Sequence, residues 1–260
     1  MNRQRVLLTN DDGIESPGLH ALADALSPLA EVTTVAPATN RSGVGRERSN
    51  AVSIVDHDRG TAIEGTPADC VAYALRGLST EFELVVSGCN VGPNVGSYLL
   101  GRSGTVGAAV EAAFLGVPAI AVSGYHHANF FPPEGSPFEV PADATAFLAE
   151  RALDGELLAG ADYLNVNAPI EERGPMRVTE PIGDYDTAVE RSGEELALRD
   201  TFWATAETNG SLPDLADCAD LYPIGSDRRA IAEGEVSVSP LSVPQSVAES
   251  EALSGLVGSF

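Results

Sequence analysis

Residues 5–9, Arg-Val-Leu-Leu-Thr, form an apolar run that stops at Asn10-Asp11-Asp12-Gly13. A strand buried on both faces shows no polar alternation, so this run predicts a central parallel strand with two carboxylates and a glycine at its tip. Downstream the period changes. Leu19, Leu22, Ala23 and Leu26 recur at helical spacing behind Ser16-Pro17, a cap residue followed by proline at the first helical position. Residues 31–36, Glu-Val-Thr-Thr-Val-Ala, read as a second strand halted by Pro37. Strand, helix and strand within about thirty residues make a βαβ unit, which implies a parallel sheet.

The same alternation of patterns continues. Residues 51–57 read as a strand in a hairpin with the segment near Ala62-Ile63. Thr66-Pro67-Ala68-Asp69 opens a helix with Val71, Ala74, Leu75 and Leu78 on its apolar face, and capping accounts for Asp69. Residues 82–88 form the next buried strand and run into Cys89-Asn90-Val91-Gly92-Pro93-Asn94, a constrained loop. A helix opens at Ser103-Gly104-Thr105, a strand follows at 118–123, a helix at 142–153 and a strand at 163–167. Residues 124–141 read as irregular surface loop, with His126, His127, Phe130 and Phe131 among prolines. From residue 174 the character changes to short β segments at 176–180 and 194–203, a helix at 226–232 and a strand at 235–239 stopped by Pro240. Leu253, Leu256 and Val257 in the tail 247–260 form a weakly amphipathic helix that needs a partner surface. The expectation is an α/β fold with a mostly parallel, Rossmann-like sheet and helices on both faces. Residues 1–173 form the body and 174–260 a C-terminal extension. No G-x-G-x-x-G follows the first strand, so a dinucleotide site is not supported.

Composition narrows the setting. Acidic residues number 38 against 15 basic ones, for a net charge of −23, and every basic residue is arginine. This balance disfavours nucleic-acid polymers and anionic membranes as partners and fits a surface kept soluble in molar salt. Cys70, Cys89 and Cys218 are far apart and form no C-x-x-C, which points to a reducing, cytoplasmic compartment rather than a disulfide or zinc framework. Cys89 reads as a packing residue. No apolar run reaches the ~20 residues of a membrane span.

Four segments are expected at one edge of the sheet: Asn10-Asp11-Asp12, the polar loop with Ser42, the Asn90–Asn94 loop, and the helix start at Ser103-Gly104-Thr105. Each has an ordinary reading as turn, solvated loop or close helix packing. Together, oxygen donors suit one hard divalent cation such as Mg²⁺ or Mn²⁺, and a helix N-terminus beside them suits a phosphate. Phosphate-ester hydrolysis is the chemistry this combination supports.

The blocks that carry this chemistry resemble the SurE family of nucleotidases: Leu-Thr-Asn-Asp-Asp-Gly at 8–13 with Ser16-Pro17-Gly18, Ala36-Pro37 through Ser42-Gly43, Gly65-Thr66-Pro67-Ala68-Asp69-Cys70-Val71, Val86-Ser87-Gly88-Cys89-Asn90-Val91-Gly92-Pro93-Asn94, and Ser103-Gly104-Thr105-Val106. The resemblance implies a metal-dependent phosphatase acting on nucleoside 5′- and 3′-monophosphates. It assigns Asp11, Asp12, Ser42 and Asn90 as metal ligands, and the charges of that set add the expectation that Asp11 or Asp12 handles the attacking water. It assigns Asn10, Asn94, Ser103, Gly104 and Thr105 to the phosphate. It also implies a homodimer or homotetramer that exchanges C-terminal hairpins and tails. Residues 95–102 depart from the family pattern in being one residue longer and in carrying Arg102 before Ser103. Alternative readings are a non-catalytic nucleotide-binding regulatory module and a structural oligomer.

Overall fold

The computed structural model describes residues 3–128, 130–155, 157–184, 187–193, 195–200 and 219–243. The expected tail helix, Trp203 and Cys218 lie outside the described residues. The strands are β1 (Arg5–Thr9), β2 (Glu31–Pro37), β3 (Ser53–His57), β4 (Gly60–Glu64), β5 (Leu84–Val91), β6 (Ala119–Tyr125), β7 (Tyr163–Pro169), β8 (Met176–Val178), β9 (Thr187–Ser192), β10 (Glu195–Asp200) and β11 (Val236–Leu241). The helices are α1 (Pro17–Leu26), α2 (Pro67–Gly77), α3 (Ser97–Leu100), α4 (Gly104–Phe114), α5 (Glu139–Leu153) and α6 (Asp227–Ala232), with a 3₁₀ turn at Ala219–Leu221.

Nine strands form one sheet in the order β3-β4-β2-β1-β5-β6-β7-β11-β8. The six from β4 to β7 run parallel. β3 and β11 pair antiparallel with β4 and β7, and β8 runs parallel to β11. The alternation of Val6, Leu7 and Leu8 shows why helices must cover both faces. Val6 and Leu8 pack with Leu19, Leu22 and Leu26 of α1 and with Ala149 of α5, whereas Leu7 packs with Val71 of α2 and Ala109 of α4. The sheet grows from β1 toward β2 on one side and, after the β3–β4 hairpin, toward β5 on the other. Between β1 and β5 the order reverses, and at such a reversal the loops leaving the C-terminal strand ends part and open a crevice.

Helix starts largely follow the sequence signals. Thr66 Oγ1 accepts from Asp69 N (3.2 Å) and Thr66 N donates to Asp69 Oδ2 (2.9 Å), closing the capping box of α2. Ser16 occupies the cap position of α1 with Pro17 at the first helical position, but its hydroxyl makes no capping bond. Pro240 does not stop β11, which runs on to Leu241. Val238 accepts from Thr179 on the β8 side and Leu241 accepts from Asp162 on the β7 side, so Pro240 turns its missing donor toward the side where β8 has already ended. β9 and β10 form a separate hairpin with Val189, Leu196 and Leu198 exposed. No helix among the described residues is long and apolar enough to cross a membrane.

Candidate active site

The crevice between β1 and β5 gathers the polar residues singled out above. Asn10 closes the turn after β1: its Nδ2 donates to Gly13 O (2.9 Å) and its Oδ1 accepts from Gly13 N (3.2 Å). In that bend Asp11 turns to α4 and Asp12 to the end of β5. Asp11 is 2 % exposed. Its Oδ1 accepts from Thr105 Oγ1 (2.5 Å), and the backbone N–H groups of Gly104 and Thr105 lie close enough to the same carboxylate to favour its charged form. A Cβ at position 104 would sit 2.8 Å from both Cβ and Oδ2 of Asp11, so glycine there lets the positive helix end close onto the acid. Burial pushes the Asp11 carboxyl above the usual range, and these donors only partly oppose it.

Asp12 ties two loops together. Its Oδ1 accepts from Asn40 Nδ2 (3.1 Å) and its Oδ2 from Val91 N (3.2 Å). Burial first, and the neighbouring Asp11 charge second, push it up to about 6. No cationic side chain among the described residues contributes to holding either carboxylate ionised.

The loop after β2 is pinned at both ends. Arg41 N donates to Asp11 O (2.6 Å), and Gly45 N donates to Arg102 O (2.9 Å). Gly107 of α4 approaches Gly45 O so closely that no side chain would fit. Ser42 N donates to Asn40 Oδ1 (2.9 Å), and the residue is solvent-exposed at the cleft.

β5 bulges between Ser87 and Asn90 before its own loop. Asn90 Nδ2 donates to Gly92 O (2.6 Å), leaving Oδ1 as the acceptor atom of that amide. Asn94 is clasped from β7 and β6. Its N donates to Asn167 Oδ1 (2.7 Å), its O accepts from Asn165 Nδ2 (2.8 Å) and Asn167 Nδ2 (3.0 Å), and its Nδ2 donates to Ser123 Oγ (3.0 Å). Ser103 caps α4, accepting from Val106 N (3.2 Å).

Asp11, Ser42, Asn90, Asn94 and Ser103 line one cleft of about 410 Å³, together with Arg102 and Phe131. Asp12 lies beside them. Asn10 and Thr105 are fully buried, with the Asn10 amide engaged in the turn and the Thr105 hydroxyl on Asp11. No group of three or more His, Cys, Asp or Glu side chains is placed to hold a metal among the described residues. The donors of the cleft are instead two carboxylates, a hydroxyl and an amide oxygen. A buried and a half-buried acid, both raised by burial and Asp12 raised further by the Asp11 charge, fit a hard divalent cation better than they fit an empty pocket. Cys89 is fully buried, with its thiol held well above its usual range by burial, as a packing residue should be.

Four residues around the cleft were not assigned by the sequence. Asn165 and Asn167 stand two apart in a buried strand, a spacing that puts both amides on one face. Asp227, fully buried at the start of α6, accepts from Gly96 N (2.6 Å), Ile182 N (3.2 Å) and Arg228 N (2.8 Å), and so anchors the start of the 96–102 loop. Phe131 belongs to the segment read as surface loop.

The sequence profile described as "Survival protein SurE" matches residues 6–186. Among curated relatives, the "5'-nucleotidase SurE" of Natronomonas pharaonis is 48% identical over 98% of this chain and 99% of that protein. The protein of the same name from Haloarcula marismortui is 46% identical over 100% of this chain and 96% of its own length. The crystal structure of the SurE protein from Aquifex aeolicus superposes with a TM-score of 0.73 at 32% identity, covering 93% of this chain and 94% of that one.

Proposed function

The chain belongs to the survival protein SurE family, and from that premise we propose that the cleft between β1 and β5 is the catalytic centre of a 5′-nucleotidase. It converts nucleoside monophosphates to nucleoside and phosphate, with 3′-monophosphates as further substrates. The observation that carries the assignment to this cleft is the convergence of Asp11, Ser42 and Asn90 on one wall with the start of α4.

Asp11, Asp12, Ser42 and Asn90 would hold one divalent ion, Mg²⁺ or Mn²⁺, which supplies Lewis-acid polarisation of the phosphoryl group. The chain's own residues do the rest. Gly104 and Thr105 fix the Asp11 carboxylate, so its orientation is set before substrate arrives. Ser103 Oγ accepts from its own helix and keeps its proton to donate to a phosphoryl oxygen. Asn94, held rigid by Asn165 and Asn167, presents its side-chain amide to the same group. Arg102 adds positive charge to an otherwise acidic wall. Asp11 or Asp12 orients the attacking water and takes its proton, a role to which a carboxyl raised toward neutrality is suited.

In this reading residues 1–173 are the catalytic body and 174–260 the extension. The exposed Val189, Leu196 and Leu198 of the β9–β10 hairpin support assembly into a homodimer or homotetramer through that extension. The acidic surface, and relatives from salt-loving archaea, support work in a saline cytoplasm.

The test is phosphate release from AMP in molar salt, with Mn²⁺ and with EDTA. Release with the metal, loss on chelation and recovery on re-addition are expected. Binding of AMP without release under any metal would favour a nucleotide-binding regulatory module instead.

A further inference from the structure

Phe131 stands on the wall of the same cleft with 46 % of its surface exposed. The turn that puts it there is well anchored. His126 and Phe130 exchange backbone hydrogen bonds (3.1 and 2.8 Å), and His127 Nε2 donates to Ala232 O (2.9 Å). Phe130 is buried in a cluster with Tyr125 and Ile231. Its φ of 61° is the only positive value at a non-glycine residue among the described residues. A bulky side chain in that region is strained, and the strain persists only where surrounding contacts enforce it. The turn therefore drives Phe130 into the core and delivers Phe131 to the cleft.

The Phe131 ring rests on Gly92, two residues past Asn90. A Cβ at position 92 would lie 2.6 Å from the ring. The cleft thus carries both kinds of lining, polar at Asp11 and Ser103 and apolar at Val91, Pro93 and Phe131. A nucleoside monophosphate has the same polarity, with a charged group at one end and a flat aromatic base at the other. We propose that Phe131 is the platform on which the substrate's nucleobase stacks while the phosphate lies at the Asp11–Ser103 end. This rests on the nucleotidase reading above. Stacking uses a π-face that every base has, so the platform secures nucleotides over base-free phosphate esters without selecting one base.

The test compares AMP with ribose 5-phosphate, which has the same ester and no base, in wild type, Phe131→Ala and Phe131→Trp. Phe131→Ala is expected to raise KM for AMP about 10-fold and KM for ribose 5-phosphate less than about 2-fold, and Phe131→Trp to keep the wild-type values. An equal loss on both esters would mean that the ring only supports the Gly92 loop, and would overturn the proposal; so would no change on either. If wild type releases phosphate from neither ester, the nucleotidase reading falls, and calorimetric binding of AMP decides the platform by itself. Weaker AMP binding in Phe131→Ala, restored in Phe131→Trp, upholds it, and indistinguishable binding by the three proteins overturns it.

Discussion

Two regions of this molecule bury aspartates at helix starts, and they treat them in opposite ways. Asp227 at the start of α6 accepts three backbone N–H groups, from Gly96, Ile182 and Arg228, and has the Arg228 charge close enough to oppose the burial that pushes it up. Asp11 at the start of α4 is also raised by burial, but its neighbour is another carboxylate, and it faces a cleft. The first acid has its charge partly compensated within the chain. The second pair is left short of positive charge, which is the condition under which a protein holds a cation rather than merely a fold.

The sharpest way to break the contrast is to neutralise the uncompensated side. Asp12→Asn keeps the shape and removes a ligand charge, so turnover of AMP should fall by about 1,000-fold or more while the fold survives. In the metal-free variant relief of the repulsion and loss of an acceptor for Asn40 Nδ2 or Val91 N oppose each other, so the melting temperature should stay within about 4 °C of wild type. Wild-type turnover in this variant would remove Asp12 from the site.

Damage to the compensated side should show the reverse. Asp227→Ala leaves Gly96 N and Ile182 N without their acceptor, and should cost about 2–5 kcal/mol by chemical denaturation. Its kcat should fall by less than about 10-fold, through slackening of the 96–102 loop. A large loss of turnover at unchanged stability would put Asp227 in the chemistry.

The smallest effect is a matter of pH. With a folded value of about 6 against an ordinary 3.8, Asp12 binds a proton in the folded state over a window where the unfolded chain has already lost it. Stability of the metal-free protein should therefore fall as pH rises from about 4 to about 6 and change little above, by about 1–3 kcal/mol in all. Asp12→Asn should flatten that slope in melting curves recorded in EDTA.

Much of this was legible from residue patterns. The switch from unbroken apolar runs to helical spacing located the parallel strands, and it placed Asn10–Asp12 and Asn90 at their tips because a strand's last residues have nowhere else to go. The capping box at Thr66 and Asp69 was local chemistry and followed directly. What escaped the sequence was long-range. Nothing local says that Asn165 and Asn167 clasp Asn94, about seventy residues earlier in the chain, or that Asp227 reaches back to Gly96. The one-turn helix Ser97–Leu100 is too short for a period to show. β11 overran its proline because the outcome depended on where a neighbouring strand stopped.

The reversal of strand order between β1 and β5 has a consequence for how the protein is made. A growing chain that has emerged only through β4 carries Asp11, Asp12 and Ser42, yet one flank of β1 still lacks its partner and Asn90 has not been synthesised. Such a species would expose an open strand edge of the kind that invites pairing with other chains. Insertion of β5 covers that edge and brings in Asn90, the last of the proposed ligands, so under that proposal capacity for the metal and protection against aggregation arrive in a single event.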